Sequence, residues 1–66
     1  MHPCKRFGAN VRKIRQKRGW SQEKLAEVSG LHRTYVSGIE RGIRNPTLTI
    51  ISQIADALRV PTSSLV

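Results

Sequence analysis

The chain has 66 residues, twelve Lys or Arg against four Asp or Glu, and a formal charge of +8. A chain this short holds one domain at most and buries a smaller share of its surface than a larger protein does, which argues against a sizeable substrate cavity. The charge calls for a polyanionic partner, nucleic acid or an anionic membrane surface, and the single cysteine, Cys4, excludes an internal disulfide and points to an intracellular, cytoplasmic protein.

The positive charge sits at the start. Lys5, Arg6, Arg12, Lys13, Arg15, Lys17 and Arg18 fall within the first 20 residues, with no acid among them. The same stretch carries Phe7, Val11 and Ile14 at spacings of four and three, an apolar stripe that predicts a first helix from about Lys5 to Lys17 with cations on its other faces. Residues 1–5 read as a flexible lead-in. Gly19 suits the end of this helix. Trp20 and Ser21 then stand at the staple and N-cap positions of a second, with Leu25 as the partner of Trp20 and Glu23 in the positive first turn. That second helix, about Gln22 to Val28, presents Leu25, Ala26 and Val28 and is closed by Ser29-Gly30, where glycine takes the left-handed conformation without steric cost.

A third helix, about Arg33 to Arg41, has His32 at its N-cap, turns Val36 and Ile39 inward and ends at Gly42. After Ile43-Arg44-Asn45-Pro46, the residues Leu48, Ile51, Ile54, Ala55 and Leu58 keep a helical period from Thr47 to Leu58. Pro61 opens a last segment, Thr62 to Val66, read as one turn or so of a fifth helix. The pattern holds no alternating strand, no repeat and no low-complexity tract, so the fold class is all-α, a compact five-helix single domain over residues 1–66. No apolar run approaches the roughly 18 residues that span a bilayer, and the basic start lacks the apolar region of a signal peptide.

Two short helices joined by a glycine-containing turn, over about residues 22–41, form a helix-turn-helix, whose second helix enters the major groove. Ala26 is small where the helices cross, Gly30 lies at the turn, and Leu25, Leu31, Val36 and Ile39 supply a shared core. Arg33, Thr34, Ser37, Gly38 and Arg41 are not needed for that core and share one face of the third helix. The planar fork of Arg33 matches guanine O6 and N7, and Thr34 can bond a base or offer its methyl to thymine. Gln22 opens the second helix, where its side chain and the backbone N–H groups can meet a phosphate.

The runs Ser21-Gln22-Glu23-Lys24-Leu25-Ala26-Glu27, Ser29-Gly30, Ile39-Glu40-Arg41-Gly42 and Asn45-Pro46-Thr47-Leu48 resemble the phage Cro and repressor-type helix-turn-helix proteins, the Xre family. Within it, Arg33-Thr34-Tyr35-Val36-Ser37-Gly38-Ile39-Glu40-Arg41 followed by Arg44-Asn45 is similar to the controller proteins of restriction–modification systems. The resemblance covers about residues 7 to 66. It implies a repressor-like domain that binds double-stranded DNA, with base reading by Arg33, Thr34 and Ser37. It also implies contacts on or near the DNA backbone from Gln22, His32, Tyr35, Arg41, Arg44 and Asn45. Tyr35 has two readings, a ring packed beside the core or a hydroxyl reaching phosphate. For Arg15 the resemblance favours an ion pair with Glu40, joining the first helix to the third, over a direct DNA contact. A homodimer on a palindromic operator is implied as well, with Val60, Leu65 and Val66 of the fifth helix at the contact, although Val60 suits the monomer core equally.

Other functions have little support. Glu23, Glu27, Glu40 and Asp56 form no paired-carboxylate or nucleophile–base pattern and there is no glycine-rich phosphate loop, so no enzyme is expected. His2, Cys4 and His32 lack the close spacing of a metal site, and no cofactor or small-molecule ligand is expected. A basic helix with an apolar stripe also suits a membrane surface, but the core of helices 2 to 4 needs that stripe, so no membrane partner is expected. The rival from another class is an antitoxin-like or adaptor protein that binds a protein partner as well as DNA. With a DNA-binding domain filling the chain, regulation is expected to act through protein concentration and DNA occupancy.

Overall fold

The computed structural model describes residues 3–66, so Met1 and His2, and the expectations placed on them, lie outside the described residues. Four α-helices follow one another: α1, Pro3–Lys17; α2, Gln22–Ser29; α3, Arg33–Glu40; and α4, Leu48–Leu58. α1 begins two residues ahead of the expected Lys5. Pro3 opens it, where the N–H that proline lacks would have no partner within the helix anyway. Residues 3–5, read from the sequence as flexible, are thus part of this helix.

The apolar stripe behaves as its spacing requires: Phe7 and Val11 are buried and Ile14 packs against the same core. Its neighbour Gly8 brings α1 onto the end of α3, since a Cβ there would overlap the carbonyl oxygens of Ile39 and Glu40. α2 is capped at both ends as expected. The Ser21 hydroxyl accepts from the Lys24 N–H at 3.0 Å, and Gly30, at φ 77°, returns its own N–H to the Ala26 carbonyl. Val28 does not join the core. It is 44 % exposed, and Ser29 is buried in its place, with its hydroxyl donating to Ala26 and its carbonyl accepting from the Gln53 amide of α4.

The Thr47 hydroxyl caps α4 by accepting from the Ile50 N–H at 3.3 Å. Leu48, the first of the apolar positions that keep the period, is the first helical residue and stands 84 % exposed, ahead of the turn at which the helix meets its neighbours. Arg59 ends the helix in the left-handed region at φ 57°, a place glycine usually takes.

The expected fifth helix is a 3₁₀ turn of three residues, Thr62–Ser64, closed by bonds from Ser64 N–H to Pro61 and Leu65 N–H to Thr62. The architecture is therefore four α-helices and a 3₁₀ turn, with no strand among the described residues. The shortening bears on the expected dimer contact of Val60, Leu65 and Val66. Leu65 turns into the core of its own chain, fully buried, and Asn10 of α1 donates to its carbonyl at 3.0 Å, so it cannot serve as a surface contact. Val60 packs against the core half-buried, and only Val66 of the three stands exposed.

Candidate nucleic-acid interface

α3 is held from two sides, by α1 and by α2. Behind it lies a polar cluster that the sequence pattern only half disclosed. The Arg15 guanidinium grips Glu40 with two bonds, Nε to Oε2 at 2.6 Å and Nη2 to Oε1 at 2.9 Å, while its Nη1 donates to the Trp20 carbonyl at 2.7 Å. The Gln22 amide adds a fourth bond, Nε2 to Glu40 Oε1 at 3.0 Å. The Glu40 side chain is 3 % exposed and that of Arg15 11 %, so both charges are removed from water together. The hydrogen bond to Glu40 raises the pKa of Arg15 further against the opposing effect of burial, and the guanidinium stays charged at any working pH.

This cluster ties α1, the α1–α2 turn, the first residue of α2 and the last of α3 into one unit. The expected Arg15–Glu40 pair is present. Gln22 donates one of its two amide N–H groups inward to Glu40, beside the backbone N–H groups that open α2 and can meet a phosphate. No local signal could have disclosed this bond, because its partners lie 18 residues apart.

Of the face read from the sequence, Arg33 and Thr34 stand exposed in the first turn of α3, Arg41 is exposed at its end, and Ser37 is half-buried between them. The Arg33 Nε lies 3.9 Å from the Glu23 carboxylate of α2, with both side chains mostly in solvent. Such a pair contributes little, so the guanidinium remains available to another acceptor. His32 takes the N-cap position as expected, exposed and without a side-chain cap bond.

Gly38 is not part of the open face. It is buried, and what covers it is the side chain of Arg44 from the following loop: a Cβ on Gly38 would stand 2.7 Å from Arg44 Cγ. The Arg44 guanidinium carbon lies 5.8 Å from the centre of the Tyr35 ring, and that ring packs against the core. Tyr35 thus has the packed ring of its first reading. The loop itself is braced by α1. Gly42, at φ 76°, leaves room for the Lys5 stem, and the Cys4 thiol donates to Asn45 Oδ1 at 3.4 Å. Asn45 and Arg44 are both exposed, side by side with the end of α3. The surface so assembled offers the cations of Arg33, Arg41 and Arg44, the hydroxyl of Thr34 and the amide of Asn45. Glu40, the acid nearest to them in the chain, is neutralised beneath.

Among the described residues no helix is long and apolar enough to cross a membrane. Comparison with known proteins gives the same architecture a family. The HTH_3 helix-turn-helix model matches residues 11–65. The control protein C.BamHI of Bacillus amyloliquefaciens is 53 % identical over 60 residues, covering 89 % of this chain and 74 % of the relative. The crystal structure of the restriction-modification controller protein C.AhdI from Aeromonas hydrophila superposes with a TM-score of 0.93 at 44 % identity, covering 96 % of each chain. The controller protein C.Esp1396I, solved as a tetramer in complex with its natural 35 base-pair operator, superposes with a TM-score of 0.87 at 39 % identity over 92 % of this chain and 80 % of that one.

Proposed function

The chain belongs to the HTH_3 helix-turn-helix family, and from that membership we propose that it is a sequence-specific transcriptional regulator of double-stranded DNA that controls a restriction–modification system. It works in the cytoplasm as a homodimer on a palindromic operator, placing α3 of each copy in the major groove. Arg33 and Thr34 read base edges, with Ser37 beside them, while Arg41, Arg44, Asn45, His32 and the N–H groups at the start of α2 hold the phosphate backbone.

The observation that carries this reading is the first turn of α3. Arg33 and Thr34 stand in solvent there, on a helix whose C-terminal end is fixed by a buried ion pair. The restriction–modification assignment rests on the likeness to C.BamHI and C.AhdI, and operator binding on the likeness to the C.Esp1396I complex. Val66, exposed at the C-terminal turn, is the residue of the expected dimer contact that remains on the surface.

The test is a fluorescence-anisotropy titration against a duplex selected from a randomised library, compared with a scrambled duplex, over a series of salt concentrations. If a dimer neutralises roughly six phosphates, log K against log salt should fall with a slope of about −5, and the selected duplex should bind tighter throughout. A flat salt profile would remove the DNA-binding reading.

A further inference from the structure

Resting on the DNA-binding reading above, we propose that Gly38 and Tyr35 are positioning residues: they form a seat on α3 that lays Arg44 along the recognition helix before DNA arrives. The loop cation then meets DNA as a preset part of the interface instead of being gathered from solution at the moment of binding.

The argument starts from a glycine in an unfavourable place. Gly38 lies inside α3, with ordinary helical backbone, where alanine would support the helix better. The missing Cβ therefore needs another reason, and the surroundings supply one. The three nearest atoms such a Cβ would meet belong to one side chain, Arg44, with Cγ at 2.7 Å, Nε at 3.4 Å and Cδ at 3.6 Å. At Gly8 the neighbours are backbone carbonyls of α3, and glycine there is a condition of folding. At Gly38 the neighbour is an exposed, flexible arm, and glycine there is a condition of where the arm lies.

Two further contacts fix the direction. The Ile43 N–H bonds to the Gly38 carbonyl at 3.0 Å, which folds the loop back so that Arg44 starts beside α3. Tyr35, three residues before Gly38 and so on the same side of the helix, then presents its ring beneath the guanidinium at 5.8 Å. A ring face suits this task better than a carboxylate would. It attracts the cation from below and leaves the in-plane N–H donors pointing outward for a phosphate or a base edge. A carboxylate would occupy those donors and have to be displaced. The ordering of a long side chain is thereby met during folding, which is what preorganisation contributes to affinity.

The experiment is a double-mutant cycle on Gly38→Ala and Arg44→Ala, read by anisotropy on the selected duplex at one salt concentration, with thermal melts of each variant. Arg44 side-chain proton shifts in the DNA-free protein are followed in parallel, since protons over the Tyr35 ring are displaced upfield. We expect Gly38→Ala to weaken binding about two- to tenfold, the range for releasing one immobilised side chain. It should do so with a melting temperature no lower than the parent's and with loss of the upfield shift. In the Arg44→Ala background the same change should leave affinity unaltered, because the seat has lost its occupant. Tyr35→Leu, which keeps apolar bulk against the core, should likewise act only when Arg44 is present.

Equal losses from Gly38→Ala in both backgrounds would overturn the proposal, since glycine would then be making room for DNA itself. Absence of the upfield shift in the parent would overturn it as well. A parent that binds no duplex overturns the DNA-binding reading and with it the role given to Arg44. A parent that binds while the cycle is additive overturns the seat alone.

Discussion

Replacing Glu40 by alanine should come close to unfolding this protein, and the reason is the charge it would leave behind. Three donors converge on its carboxylate, two from Arg15 and one from Gln22, in a site where the carboxylate side chain is 3 % exposed. Without it the Arg15 guanidinium keeps the Trp20 carbonyl but no counter-charge, in a position 11 % exposed. Removing one partner of a buried pair costs about 3–5 kcal/mol, chiefly the price of the orphaned ion. At about 0.05–0.15 kcal/mol per residue, a domain of this length has roughly 3–10 kcal/mol of stability in all. With about 4–8 °C lost per kcal/mol in a domain of this size, the midpoint in a circular-dichroism melt should fall by about 12–40 °C. The paired replacement Arg15→Met with Glu40→Leu removes both charges and keeps apolar volume, so it should recover most of that loss. A Glu40→Ala midpoint within a few degrees of the parent would refute the reasoning, as would a double variant no more stable than the single one.

At the interface, Arg33→Ala should cost about 1–3 kcal/mol per half-site and relax the preference at one base pair, measured as the ratio of affinities for the selected and point-substituted duplexes; unchanged discrimination would show that α3 does not read sequence through its first turn. In assembly, sedimentation on a symmetric duplex should show two copies bound, with the two α3 helices about 34 Å apart, one turn of DNA; monomers alone, free and bound, would contradict the dimer.

The helix-turn-helix was legible because its boundaries are set by neighbours in sequence. Ser21 caps with its own hydroxyl, Gly30 turns left-handed, and both act within four residues. The misplacements have a different origin. Val28 and Ser29 follow Leu25 by three and four residues, so on an eight-residue helix either satisfies the apolar period. What decides between them is the arrival of α4, whose Gln53 bonds the Ser29 carbonyl from 24 residues away. Leu48 keeps the apolar period yet stands exposed, because the first position of a helix has the right period before it has any neighbour. Leu65 was misplaced because a segment closed by i to i+3 bonds aims its side chains differently from an α-helical turn, and sequence did not distinguish the two.

These differences alter how the site itself is understood. Gly38 lies under Arg44 and Ser37 is half-buried, so the open face of α3 is narrower than five residues at helical spacing suggest. In the proposed reading base edges are left to Arg33 and Thr34, with Ser37 half-buried beside them. At about 1–3 kcal/mol of discrimination for each good base contact, two such contacts reach about 2–6 kcal/mol, the lower part of the roughly 4–10 kcal/mol that separates specific from non-specific sites. A second copy doubles the figure without enlarging the face. The cations that bind any phosphate backbone are abundant here, and the groups that tell one sequence from another are few. That imbalance makes a paired, symmetric arrangement the economical route to selectivity for a chain of this size.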